Sequence, residues 1–138
     1  MATQPSPFAL QDYKIIEFSY KKPADENFQI NLNFTPSGLY NTTTGIFKVK
    51  LVFTCNIEKE ATEFIKGILE ADFKFSEPTP YEQIPPYFYV NSIAIIFPYV
   101  RAFIGTLSLQ SNVGIVVLPL LNLMALEKPL RDSTKVEE

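Results

Sequence analysis

"EKEATEFIKGILEADFKF", residues 58 to 75, supports two readings. Phe64, Ile65, Ile68, Leu69 and Asp72 recur at helical spacing. Ile65, Gly67, Leu69, Ala71, Phe73 and Phe75 alternate as a strand does. The start of the stretch leans to helix. Gly67 in its middle and the β-prone residues at its end lean the other way. Periodicity alone leaves both readings open.

The flanks upstream are clearer. "IFKVKLVFTCN", residues 46 to 56, puts Phe47, Val49, Leu51, Phe53 and Cys55 on one face and Lys48, Lys50 and Thr54 on the other. This period of two predicts a strand. "FQINLNF", residues 28 to 34, predicts another, with Phe28, Ile30, Leu32 and Phe34 opposite Gln29, Asn31 and Asn33. "TPSGLYNTTTG" between them reads as a loop punctuated by Pro36, Gly38 and Gly45. "YKIIEFSYK", residues 13 to 21, predicts a strand in which Ile16, Phe18 and Tyr20 share one side. "KPADEN" is a turn.

Downstream, "SEPTPYEQIPPY" holds four prolines and reads as a crossover loop. In the following stretch Tyr99, Val100, Phe103, Ile104 and Leu107 fall at helical spacing. Pro98 suits a first turn; a helix starting near Asn91 or Ser92 would have Pro98 kink it. Asn112 and Gly114 supply a stop. "EKPLRDSTKVEE" is polar, breaks at Pro129 and reads as a frayed tail.

The chain has 138 residues, 46% hydrophobic and 20% charged, with net charge -3. These figures predict a single globular domain over 1–138, its core within about 8–127 and a flexible tail over 128–138. The acidic balance argues against a nucleic-acid partner, which needs a basic face. There is no histidine, so the Ser-His-Asp triad and the commonest metal ligand are both missing. Cys55 is a lone cysteine in an apolar run; it reads as a core residue of a protein kept in a reducing cytoplasm. Pairs such as Glu58 with Glu60 and Asp25 with Glu26 read as solvated turns. The usual neutral-pH general base and a CxxC metal site are thus both missing from the sequence. "MATQPSPFAL" lacks the pattern of a signal peptide.

No charged residue lies between Ala102 and Leu126. A membrane span needs roughly twenty continuous apolar residues, and "TLSLQSN", residues 106 to 112, interrupts the run, so no span is expected. Apolar residues lie on several sides of residues 93 to 107. A helix apolar nearly all round is covered on nearly all sides, and a small sheet covers one. A second copy of the chain is expected to cover the rest.

"FPYVR", residues 97 to 101, followed by a helix and then "LPLLNLMAL", residues 118 to 126, resembles the SecB export-chaperone family. Phe97, Pro98, Tyr99 and Arg101 match its Phe-Pro-Tyr-Ala-Arg motif. Leu118, Asn122, Ala125 and Leu126 match its second motif, with the proline one place early at Pro119. Upstream, "FSY" at 18 to 20 with Pro23 resembles the end of the family's first strand. The resemblance implies an α+β fold, a four-stranded antiparallel sheet with a long helix on one face, and so makes residues 61 to 75 the fourth strand. It implies a cytoplasmic homotetramer, a dimer of dimers, with Tyr99, Phe103 and Leu107 at the interface. It also implies a holdase that binds unfolded polypeptides for export, with no catalysis, no metal and no cofactor.

Glu17 matches an acidic position used to contact the SecA motor, but Lys21 stands where an acid is usual. A branch of the family serves toxin–antitoxin systems, and a short divergent chain fits it too; an adaptor for one folded partner is the other alternative. Tyr40, Tyr81, Tyr87, Phe88 and Tyr89 fall in or beside loops by pattern and are the expected client groove. Aromatics give large contact area at low entropy cost. Singly, each reads rather as a seal at the core's edge; as a set they are better explained by an exposed apolar groove.

Overall fold

The computed structural model describes residues 7–23, 30–57, 63–112 and 121–137. Five strands form one sheet: β1 (Phe8–Tyr20), β2 (Ile30–Asn41), β3 (Ile46–Ile57), β4 (Glu63–Phe75) and β5 (Thr134–Glu137). Their order is β1-β4-β3-β2-β5. All pairs are antiparallel except β2 with β5, which is parallel. A long helix, α1 (Pro86–Gln110), and a short one, α2 (Glu127–Asp132), complete the fold. The expected α+β architecture stands, with a fifth strand added.

The two-way stretch is a strand from Glu63 onward. Its alternation decides its place, because it is paired on both sides, to β1 and to β3. Phe73, Ala71, Leu69 and Ile65 face inward with Phe47, Val49, Leu51, Phe53 and Cys55, and all are buried. Gly67 is required rather than tolerated. It lies opposite Phe53, and a Cβ there would fall 2.2 Å from the tip of the Phe53 ring.

Strand β1 corrects the expected parity. Its register with β4 slips between Leu10 and Asp12 and again between Ile15 and Glu17. Such bulges strengthen twist and suit an edge strand. The second one drops Ile16 out of the inward set. Ile15, Phe18 and Tyr20 face the helix, while Ile16 is 49% exposed. Strand β2 corrects a second expectation, since residues 35–41 continue the strand and only Thr42–Gly45 turn. Proline is tolerated because, among the described strands, β2 pairs on one side only at Pro36. Gly38 admits a close neighbour: a Cβ there would meet Thr134 Oγ1 at 2.6 Å and the Phe47 ring at 2.7 Å. Asn41 closes the turn, its Oδ1 accepting from the N–H groups of Thr43 at 2.9 Å and Thr44 at 3.0 Å. Gly45 supplies the left-handed residue at φ 71°.

Helix α1 starts earlier than its motif suggests. Pro85 caps it and Pro86 opens it, where the missing N–H costs nothing. Pro98 thus sits in the interior, on the exposed side. Phe88, Ile93, Ile96, Val100 and Ile104 form the stripe packed on the sheet. Buried Ser92 and Ser108 donate to the carbonyls of Tyr89 at 3.3 Å and Gly105 at 2.9 Å, so neither hydroxyl is stranded. Asn112, at φ 59°, ends the helix as expected; Gly114, Leu118 and Pro119 lie outside the described residues. By length and composition α1 could cross a membrane, but here its inner stripe is taken up by the sheet.

The tail is the largest correction. Residues 127–132 are helical and 134–137 pair with β2. Leu130 is fully buried in the core. Pro129 sits in the first turn of α2, where it starts a helix instead of breaking one.

Candidate functional site

The five aromatics expected to form an open groove divide into two groups. Tyr40, Phe88 and Tyr89 are core residues of the monomer, a correction to their expected place in loops. Tyr40 lies on the inner face of β2 and stacks on Phe47, ring centroids 5.6 Å apart. Its hydroxyl donates to the Thr79 carbonyl and so ties the proline-rich crossover to the sheet. Phe88 is ringed by Phe47 at 4.6 Å, Phe8 at 4.8 Å, Phe75 at 5.2 Å and Phe73 at 5.7 Å. Tyr40 falls in phase with the inward face of β2, and Phe88 and Tyr89 lie on the buried side of the first turn of α1. Tyr81 and Tyr87 remain reachable. Tyr87 is 49% exposed, and Tyr81 opens a single 3-10 turn (Tyr81–Gln83) in the crossover.

Two concavities meet at that turn. One, about 590 Å³, is lined by Thr42, Pro78, Thr79, Pro80, Tyr81, Glu82 and Val136. The other, about 250 Å³, is lined by Tyr81, Glu82, Ile84, Pro86, Tyr89 and Arg131. Tyr81 and Glu82 belong to both. The larger lies in the size range of peptide side-chain and small-ligand pockets. The Arg131 guanidinium lies over the Tyr89 ring, 4.8 Å from its centroid. The sequence reading missed Val136 and Arg131, because both lie in the segment taken for a tail.

A second apolar surface runs along α1. Tyr99 stacks on Tyr13 of β1 at 4.0 Å, and Phe103 meets Phe18 edge-on at 5.2 Å. Tyr99, Phe103 and Leu107, the expected interface residues, therefore touch their own chain with part of their surface. Tyr99 keeps its outer edge exposed, as do Ile95, Leu109 and Phe18, the last at 54%. Arg101 is the single charge in the 25 residues of α1, and it lies over the Phe97 ring at 5.1 Å. Glu17 is exposed on β1, next to Phe18 but away from the crossover. Among the described residues no cluster of three Cys, Asp or Glu side chains could hold a metal ion.

Burial pushes the Cys55 thiol up to about 12. Burial, and then the Tyr81 hydroxyl beside it, pushes the Tyr89 phenol up to about 12 as well, with Arg131 acting in the opposite sense. In the unfolded chain these groups ionise near about 8.5 and 10. A group whose folded value is raised contributes stability that is complete below its unfolded value and is lost as pH approaches the folded one. The melting temperature should therefore hold to about pH 8.5 and fall steadily toward 12, with Cys55→Ala removing the earlier part of the fall. In the native protein at pH 8 Cys55 should resist a thiol reagent and react once urea unfolds the chain; rapid native labelling would contradict its place in the core.

No family model matches the chain. An uncharacterized protein of Methanocaldococcus jannaschii, MJ0357, is 38% identical over 53 residues, 36% of this chain; the match covers 34% of that relative's length. The SecB-like chaperone Rv1957 of Mycobacterium tuberculosis, solved in complex with a peptide from the HigA1 antitoxin, superposes with a TM-score of 0.63 at 18% identity. The superposition covers 83% of this chain and 91% of that one. The chain thus has a SecB-like fold, in agreement with the motifs at Phe97–Arg101 and Asn122–Leu126.

Proposed function

We propose that the protein is a holdase chaperone that binds unfolded or non-native polypeptides, acting in the cytoplasm without catalysis. The observation that carries this is the outer face of α1: Tyr87, Ile95, Tyr99 and Leu109 stand exposed on 25 residues bearing one charge, beside Phe18 and the aromatic concavities of the crossover. Large apolar side chains left exposed along one helix mark an interaction face. The SecB-like fold supports the same reading. Part of α1's outer face serves assembly, with four chains joined as a dimer of dimers; the remainder and the crossover concavities take clients.

The client's identity has two readings. The neighbour of known structure carries an antitoxin peptide, which favours an antitoxin as this chain's client. Export is the other, with Glu17 as the contact to a SecA motor. A folded-partner adaptor is separated from both by one assay. An unrelated enzyme is denatured, then diluted into the protein, and light scattering is followed. Suppression near stoichiometric amounts is expected, and it should persist in high salt because apolar burial is not screened. Aggregation that proceeds undiminished would overturn the holdase reading.

A further inference from the structure

We propose that β5 is a built-in occupant of the client site: it sits on the edge of β2 as an extended peptide would, and a client strand carrying a large apolar side chain displaces it. The proposal rests on the holdase reading and assigns the mode of binding. Four residues of β5 pair in parallel with Gly38, Leu39, Tyr40 and Asn41. Further back along β2, among the described strands, Ile30–Ser37 pairs with β3 alone. The edge therefore already accepts one strand, at Gly38–Asn41. Backbone ladders of this kind bind with little regard to sequence and leave selection to alternate side chains.

The attachment of β5 is light. The Thr42 N–H donates to the Glu137 carbonyl at 3.0 Å and Asn41 Nδ2 to the Glu137 carboxylate at 3.1 Å. At its start the Ser133 hydroxyl donates to the Pro36 carbonyl at 2.9 Å. No residue of β5 is buried, and Lys135, Val136 and Glu137 are exposed. Leu130, which anchors the segment, lies before it in α2, so β5 can leave without opening the core.

Val136 is the residue of β5 that lines the 590 Å³ concavity, against Pro78, Thr79, Pro80 and Tyr81. It remains 45% exposed and leaves that volume unfilled. A Phe, Trp or Leu in the same register would bury more apolar area against those residues than Val136 does. The resident strand is thus a weak ligand by construction. It covers the edge against aggregation and yields to a segment with a larger anchor. An occupant in competition lowers apparent client affinity by the fraction of time the edge is free.

Four measurements test this. A chain ending at Ser133 keeps Leu130 and should bind a fluorescently labelled unfolded client at least about fivefold more tightly than the full chain. In the full chain Val136→Trp should fill the concavity, hold β5 in place and weaken client binding to a similar degree. A synthetic peptide of residues 133–137 with Trp at the Val136 position should bind the shortened chain directly, which tests the edge even where no client binds at all. Hydrogen exchange on adding client to the full chain should show residues 133–137 losing protection while Gly38–Asn41 keeps it. Unchanged client affinity in both variants, or a peptide that fails to bind the folded shortened chain, would overturn the proposal. So would self-association that disappears with β5, since it would give the edge to a second copy of the chain.

Discussion

Replacing Phe88 by alanine is expected to destabilise the monomer by about 3–5 kcal/mol, a large share of the roughly 5–15 kcal/mol that holds a domain of this kind folded. Phe88 has no exposed surface, and its ring meets Phe8, Phe47, Phe73, Phe75 and Tyr89. It joins the start of α1 to three strands at once, so no single element can shift to close the void. Phe88→Leu keeps most of the volume and should cost distinctly less. Urea unfolding of the two variants gives the comparison. A client-groove residue would behave in the opposite way, with client affinity lost and stability kept; a cost for Phe88→Ala below about 1 kcal/mol would point there.

Removing residues 129 to 138 should be nearly as damaging. Sequence reading alone treats this segment as dispensable. The structure buries Leu130 completely, lays Arg131 over Tyr89 and pairs Thr134–Glu137 with β2. Leu130→Ala by itself should cost about 2–5 kcal/mol, and the deletion at least as much. A chain ending at Ser133 should retain most of the stability, because it keeps α2. Thermal melts of the three chains order them. A deletion of 129 to 138 that melts within a few degrees of the full chain would return the segment to the status of a tail.

The parts of this protein legible in its sequence are those set by local period. The alternation from Phe47 to Cys55 determined β3, its inward face and the burial of the one cysteine. Leu32 and Phe34 did the same for the described start of β2. Helical spacing from Tyr99 to Leu107, closed by Asn112, determined the second half of α1, and the motif at Phe97–Arg101 pointed to the fold. Each of these signals lies within one or two turns of chain, where the side-chain period and the backbone state are the same fact. Tertiary structure decided what depends on a distant partner. Gly67 is ambiguous as a residue and necessary once Phe53 lies over it. The bulge that turns Ile16 outward is a mismatch between β1 and β4 and exists in neither strand alone. Pro36 and Gly38 look like loop residues until β2 is seen to have one partner at the first and Thr134 pressed against the second. Tyr40 stands before the Asn41–Gly45 turn and Phe88 and Tyr89 just after the proline-rich crossover, and they reach the core because the sheet and the start of α1 close over them. The tail is the plainest instance. Its composition is that of a solvated segment, and one leucine in it fills a space that β2 and α1 leave between them, which no local pattern records.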